Sequence, residues 1–261
     1  MQVSVFASGS SGNCLLVRSS GANVLLDAGI STRRIGSALT QMGLNWQDID
    51  GVLITHEHSD HICGLKTLLK YYHIPLYAPH TVAARVCGQL PDAVDCMHVI
   101  PVGRPCSVRN LRVSAFHTPH DTQESVGYRV EGEGVFALAT DMGCVTEEVL
   151  VGLSGADTAL IEANHDEELL LSGPYPLQLK RRILSDHGHL SNTACAALAR
   201  LLADSGTRRI ILGHLSKENN RPALALRTVQ TVLAGTGAEV VCAPPDGLLT
   251  VPVDGRAPCL L

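Results

Sequence analysis

Aromatic residues are scarce in this chain, with three Phe, five Tyr and one Trp among 261 residues. Its core must therefore be aliphatic, and a nucleic-acid platform of stacked aromatic rings loses weight as a reading. No stretch approaches the ~18 continuous apolar residues of a membrane span, and Met1 to Phe6 lacks a cationic segment followed by a long apolar run. The expectation is a soluble, cytoplasmic protein with no membrane partner. Nine cysteines include no C-x-x-C pair, and an odd number cannot all pair within one chain. They are expected to be reduced, mostly buried, small core hydrophobes. A net charge of −5 excludes a broadly basic surface but leaves room for a local cationic groove.

Hydrophobic residues at 45% against 17% charged supply a large core and leave no case for large-scale disorder. One domain over residues 1–261 is expected, since sandwich and α/β folds of this size commonly form around one core. Short β-rich runs at 3–7, 14–17 and 23–26 flank the loop Ser8-Gly9-Ser10-Ser11-Gly12-Asn13 and predict an antiparallel meander. Ser31 or Thr32 caps a helix to about Met42, and the apolar run 51–55 is a buried strand. Helices are predicted at about 62–72, 80–87, 176–184, 191–202 and 222–233. Strands are predicted at 75–77, 108–115, 126–131, 135–140, 158–162, 208–212, 239–242 and 248–251. The two halves are built alike, which suggests two sheets packed face to face with helices outside.

Three imidazoles and a carboxylate fall within six residues at the end of that apolar strand, in Thr55-His56-Glu57-His58-Ser59-Asp60-His61. Packing does not explain such density. Imidazole and carboxylate suit Zn²⁺, Mn²⁺ or Fe²⁺, and the lack of a cysteine ligand argues against a closed structural zinc site. His56 and His58 can share one metal while Asp60 and His61 turn towards a second.

With this H-x-H-x-D-H signature the chain closely resembles the metallo-β-lactamase superfamily over essentially its whole length. The resemblance implies an α/β (α+β) fold, a four-layer αββα sandwich, with two divalent metals in a cleft at the sheet edges. It also implies further ligands from distant loops: His120 in Thr118-Pro119-His120-Asp121, Asp141 in Ala139-Thr140-Asp141-Met142-Gly143, and His214 in Leu212-Gly213-His214-Leu215-Ser216. By the same resemblance His56, His58 and His120 hold one metal, Asp60, His61 and His214 the other, and Asp141 bridges them. Asp27 in Leu25-Leu26-Asp27-Ala28-Gly29 matches a buttressing aspartate. An aspartate at the bridge favours the hydrolase and phosphodiesterase branches over the true β-lactamases.

Two adjacent cations can bind a phosphoryl oxygen, bring a bridging water towards its hydroxide form near neutral pH, and stabilise in-line displacement. Asp60 is placed to orient or deprotonate that water, and a non-ligand histidine can protonate the leaving alkoxide. His189 and His165 are the candidates. Four segments together resemble the bacterial YycJ/WalJ-like subgroup: the Ser/Gly loop 8–13, Glu162-Ala163-Asn164-His165-Asp166, Gly188-His189-Leu190-Ser191-Asn192, and His214 to Asn220. That resemblance implies a 5′ to 3′ exonuclease acting on DNA, with a link to DNA repair. Ser10, Asn13, Ser191, Asn192, Ser216 and Asn219 are the candidate substrate contacts, through loop amides and a helix start. An ordinary N-cap is the competing reading of Ser191. Lys180, Arg181 and Arg182 form the densest cationic run. Ester, thioester or cyclic phosphodiester hydrolysis, RNA processing and a non-enzymatic regulator remain as alternatives.

Overall fold

A computed structural model describes residues 1–254. Cys259, and the end of the expected domain 1–261, lie outside the described residues. The chain begins as the expected meander: β1 (Gln2–Ala7), β2 (Cys14–Ser19) and β3 (Ala22–Leu26) pair antiparallel in sequence. Next come α1 (Thr32–Gln41), β4 (Gly51–Leu53), α2 (Ser59–Ile62), α3 (Leu65–Tyr71), β5 (Leu76–Ala78), α4 (His80–Gln89) and β6 (Met97–Val99). The second half runs β7 (Cys106–Val108), β8 (Leu111–His117), β9 (Val126–Glu131), β10 (Val135–Ala139), α5 (Glu147–Leu153), β11 (Thr158–Glu162), α6 (Glu167–Ser172), α7 (Leu177–Ile183), α8 (Asn192–Asp204) and β12 (Arg209–Gly213). It closes with α9 (Pro222–Leu233), β13 (Glu239–Cys242) and β14 (Leu249–Pro252).

The strands form two seven-stranded sheets, ordered β14-β1-β2-β3-β4-β5-β6 and β13-β12-β11-β10-β9-β8-β7. Between them lies an aliphatic core in which Val5, Leu15, Val17 and Leu26 of one sheet share a cluster with Val113, Phe136, Leu160 and Ile211 of the other. The outer faces are covered separately, the first sheet by α1, α3 and α4, the second by α5, α8 and α9. This is the four-layer αββα sandwich. β3 to β6 run parallel, as do β10 to β13, so several carboxyl ends in each sheet share an edge. In open α/β sheets such an edge is where ligands bind.

Three expectations change. The helix predicted at 62–72 is two helices, because the Asp60 carbonyl accepts from Asn13 N (2.8 Å) and the Gly64 N–H donates to Ala28 O (2.8 Å). Neither is then available for the i to i−4 ladder. A Cβ at Gly64 would lie 2.3 Å from the Ile30 carbonyl oxygen, so only glycine lets the chain pass. The strand predicted at 108–115 is a hairpin, β7 to β8, turning at Arg109 with φ +53°. The cysteines are free as expected, but among the described residues only Cys14 and Cys195 are fully buried.

Candidate metal centre

The histidine cluster leaves β4 on a loop tied to both neighbours. Val126 N donates to the Thr55 carbonyl (3.1 Å), and the His61 carbonyl accepts from Ala28 N (2.8 Å). From the other sheet, His120 follows β8, Asp141 follows β10 and His214 follows β12. Asp27, Asp141 and His214 all have left-handed backbone, with φ of +58°, +57° and +54°. That conformation costs of order 1 kcal/mol or more for a residue with a Cβ, and it collects where function demands a particular side-chain direction.

The structure brings all seven candidate ligands together. His56, His58 and His120 form one group, Asp60, His61 and His214 another, with donor atoms within 4.8 Å of one another in each. Asp141 lies between, its Oδ2 3.3 Å from His61 Nε2 and its Oδ1 3.7 Å from His120 Nε2 and 3.5 Å from His214 Nε2. His61 Nδ1 is 2.7 Å from Asp27 Oδ2, His214 Nδ1 is 2.9 Å from Glu162 Oε1, His120 Nδ1 meets the Gly188 carbonyl and His56 Nδ1 meets Thr55 Oγ1. One nitrogen of each of these four rings is thus held by the protein, which is how ligating imidazoles are oriented. His56 Nε2, His214 Nε2 and Asp141 Oδ2 are buried without a hydrogen bond. Buried polar atoms are seldom left so, and the nitrogen and oxygen donors suit a borderline divalent cation. The residues fit a metal.

The same crowding sets the charges of the metal-free chain. Burial disfavours the His214 imidazolium, but Asp141, Asp60 and Glu162 outweigh it and raise the ring to about 10. His61 is likewise pushed well above the usual range against burial, by Asp141 and Asp27. Burial raises Asp141, yet His214 and His61 hold it well below the usual carboxylate range. Burial and the neighbouring His61 depress His56.

Glu162 is the residue that sequence reasoning missed. It ends the fully buried strand β11, and its carboxylate meets His189 Nδ1 (2.7 Å) and His214 Nδ1 (2.9 Å) while accepting from Met142 N (2.9 Å). Burial opposes its charge, but His189 and His214 hold it down at about 2. The signal was a lone carboxylate closing Thr-Ala-Leu-Ile-Glu, a strand buried on both faces that leaves it no solvent side.

Two candidate substrate contacts, Ser10 and Ser216, line a cleft of about 170 Å³ together with His189, Asp121, Tyr175 and Arg182. The other four do not line it. Asn13 is a staple, its Oδ1 accepting from Gly9 N (2.9 Å) and its Nδ2 reaching Gly9 O, Asp60 O and His61 Nε2. The Gly9, Gly12 and Asn13 amides are already bonded within the protein, which leaves little of the expected phosphate cradle. Ser191 is an ordinary N-cap, accepting from Ala194 N, and the first helical amide, Asn192 N, donates to His165 O. Asn192 is buried in a paired amide contact with Asn220, and Asn219 is buried against Ser216. The His165 ring is 1% exposed and presents no face to a substrate, while His189 is partly open to the cleft.

Because the Asn220 amide donates to Ala163 O, Asn164 O and Asn192 Oδ1, Asn220→Ala leaves several buried groups unsatisfied. It should destabilise the fold by about 2 kcal/mol or more, read as a lowered urea midpoint. An unchanged midpoint would show the network to be incidental.

The sequence profile described as "Beta-lactamase superfamily domain" matches residues 22–215. Exodeoxyribonuclease WalJ of Streptococcus pneumoniae is 42% identical over 88% of this chain and 87% of its own. Exodeoxyribonuclease YycJ of Bacillus anthracis is 38% identical over 91% and 90%. Among solved structures, Zn²⁺-bound PqqB of Methylobacterium extorquens aligns over 97% of this chain and 100% of its own, with a TM-score of 0.74 at 22% identity. The metallo-β-lactamase fold protein YhfI of Bacillus subtilis aligns over 96% and 98%, with a TM-score of 0.73 at 16% identity. No helix among the described residues is long and apolar enough to cross a membrane. The fold, the paired histidine and aspartate groups and the length of these matches agree: the chain belongs to the metallo-β-lactamase superfamily.

Proposed function

We propose that this chain is a divalent-metal-dependent exodeoxyribonuclease, digesting DNA from 5′ to 3′ as a single catalytic domain in the cytoplasm. The observation that carries the reading is a partly exposed histidine, His189, anchored by Glu162 beside seven clustered ligand residues. Identity of 38 to 42% to two exodeoxyribonucleases over most of each chain supports DNA as the substrate.

In this reading His56, His58 and His120 would hold one ion and Asp60, His61 and His214 a second, with Asp141 placed between the two groups. Zinc or manganese suits these donors, with iron accepted. Such ions supply Lewis acidity towards a phosphoryl oxygen and make water more acidic. The chain does the rest. Asp60, 24% exposed and 3.5 Å from His214 Nε2, orients the attacking water and takes its proton. Glu162 holds the Nδ1 side of His189, leaving Nε2 to protonate the departing oxygen. Against burial, the Glu162 charge keeps the His189 proton affinity above its ordinary value. That is the state an acid needs.

The test is incubation of metal-reconstituted protein with 5′- and 3′-labelled DNA and RNA. Mononucleotides released from the 5′ end of DNA are expected. Turnover confined to RNA or to small esters overturns the reading.

Metal uptake should also release protons. His214 keeps its proton up to about pH 10 in the metal-free chain, and ligating imidazoles must be neutral. Apparent affinity should therefore rise as pH rises towards that value. Calorimetry in buffers of different ionisation enthalpy should give a slope of at least one proton released, and a zero slope would contradict the assignment of His214.

A further inference from the structure

The cleft beside His189 is built unlike the metal cluster. Its lining includes the polar side chains of Ser10, Ser216 and Asn164, together with a wall of Tyr175, Leu179 and Ile183 from α7 and the turn before it. Pro174 and Pro176 bracket Tyr175, so its backbone enters α7 with little freedom. The ring is half-buried and stacks on no other aromatic among the described residues. Arg182, one turn along α7 from Leu179, pairs with Asp121 across the cleft. This pair cancels a carboxylate that would repel phosphate.

We propose that this cleft seats the terminal nucleotide of the DNA strand, with its base stacked on Tyr175. The inference rests on the nuclease reading and deepens it. At about 170 Å³ the cleft has room for one base and not for a run of them. A seat of that size suits a strand entering by its end, in keeping with exonucleolytic action. A tyrosine face accepts any base, because every base has a π-face, and the wall offers no side chain that would read one base edge against another. Digestion should be indifferent to sequence.

The test is a cycle that deletes each partner. Oligonucleotides carrying a normal or an abasic terminal nucleotide, at the 5′ or the 3′ end, are digested by wild type, Tyr175→Ala and Tyr175→Phe. Stacking of a base on an aromatic side chain is lost at roughly a five- to hundredfold cost in kcat/KM. Wild type should show that loss for the abasic 5′ end, carried mainly by KM. Tyr175→Ala should be slower on the normal end and show no further loss on the abasic one. Tyr175→Phe, which keeps the ring, should discriminate like wild type. If the abasic end costs Tyr175→Ala as much as it costs wild type, or costs wild type nothing, the inference is overturned while the nuclease reading stands. Failure of wild type to release nucleotides from any DNA overturns both.

Discussion

Asp60→Ala should lower kcat for DNA hydrolysis by about a thousandfold, within the range that general acid–base groups contribute. The side chain is 24% exposed and, among the described residues, its polar contacts are those with His61 and His214. Its backbone carbonyl, which accepts from Asn13 N, survives the substitution. The melting temperature should therefore change little, separating a chemical loss from an unfolding one. Activity matching wild type would remove Asp60 from the reaction.

Glu162→Gln is the second large effect, and it reaches the site through other residues. The amide keeps the volume of the carboxylate but loses the charge that supports His189 and His214. Metal affinity should fall about 10- to 100-fold, as it does when the outer partner of a ligating histidine is lost. At saturating metal, kcat should fall a further hundredfold or more as His189 loses its grip on the proton. The two losses separate by metal titration. A merely structural Glu162 would lower stability and leave the acidic and basic limbs of the pH profile where they are in wild type. The proposed role shifts the basic limb to lower pH, since His189 without Glu162 gives up its proton more easily.

Four of the seven clustered residues were legible because His56 to His61 compresses three imidazoles and a carboxylate into one loop after an apolar strand, whereas His120, Asp141 and His214 were implied only by the family resemblance. The two-sheet sandwich was legible from its alternating apolar runs. Less could be read of α5 and α6, whose short amphipathic runs fall between stronger signals, or of the hairpin at Arg109, which depends on a left-handed non-glycine residue. The break at Gly64 was hidden for a different reason. It is imposed by hydrogen bonds to Asn13 and Ala28, which no local window contains.

The same limit explains the asparagines. Asn13, Asn192 and Asn219 stand in motifs that invite a substrate role, and a residue type cannot reveal whether its amide is already committed. Asn192 is committed to Asn220, and Asn13 to the Asp60 carbonyl and the His61 ring, all far away in sequence; Asn219 is held locally by Ser216. Glu162 is the converse case, since its strand reads as plain core until two histidines far along the chain are seen to share its carboxylate.

The Ser8 hydroxyl accepts from the His214 amide at 2.9 Å, across 206 positions of sequence. Contacts of such separation form late, and during synthesis a chain emerges from its N-terminus. A ribosome-bound fragment that displays His56 to His61 therefore holds half a centre. The last of the seven clustered residues, His214, has to emerge before the two ligand groups can be complete, so the centre is assembled only near the end of synthesis.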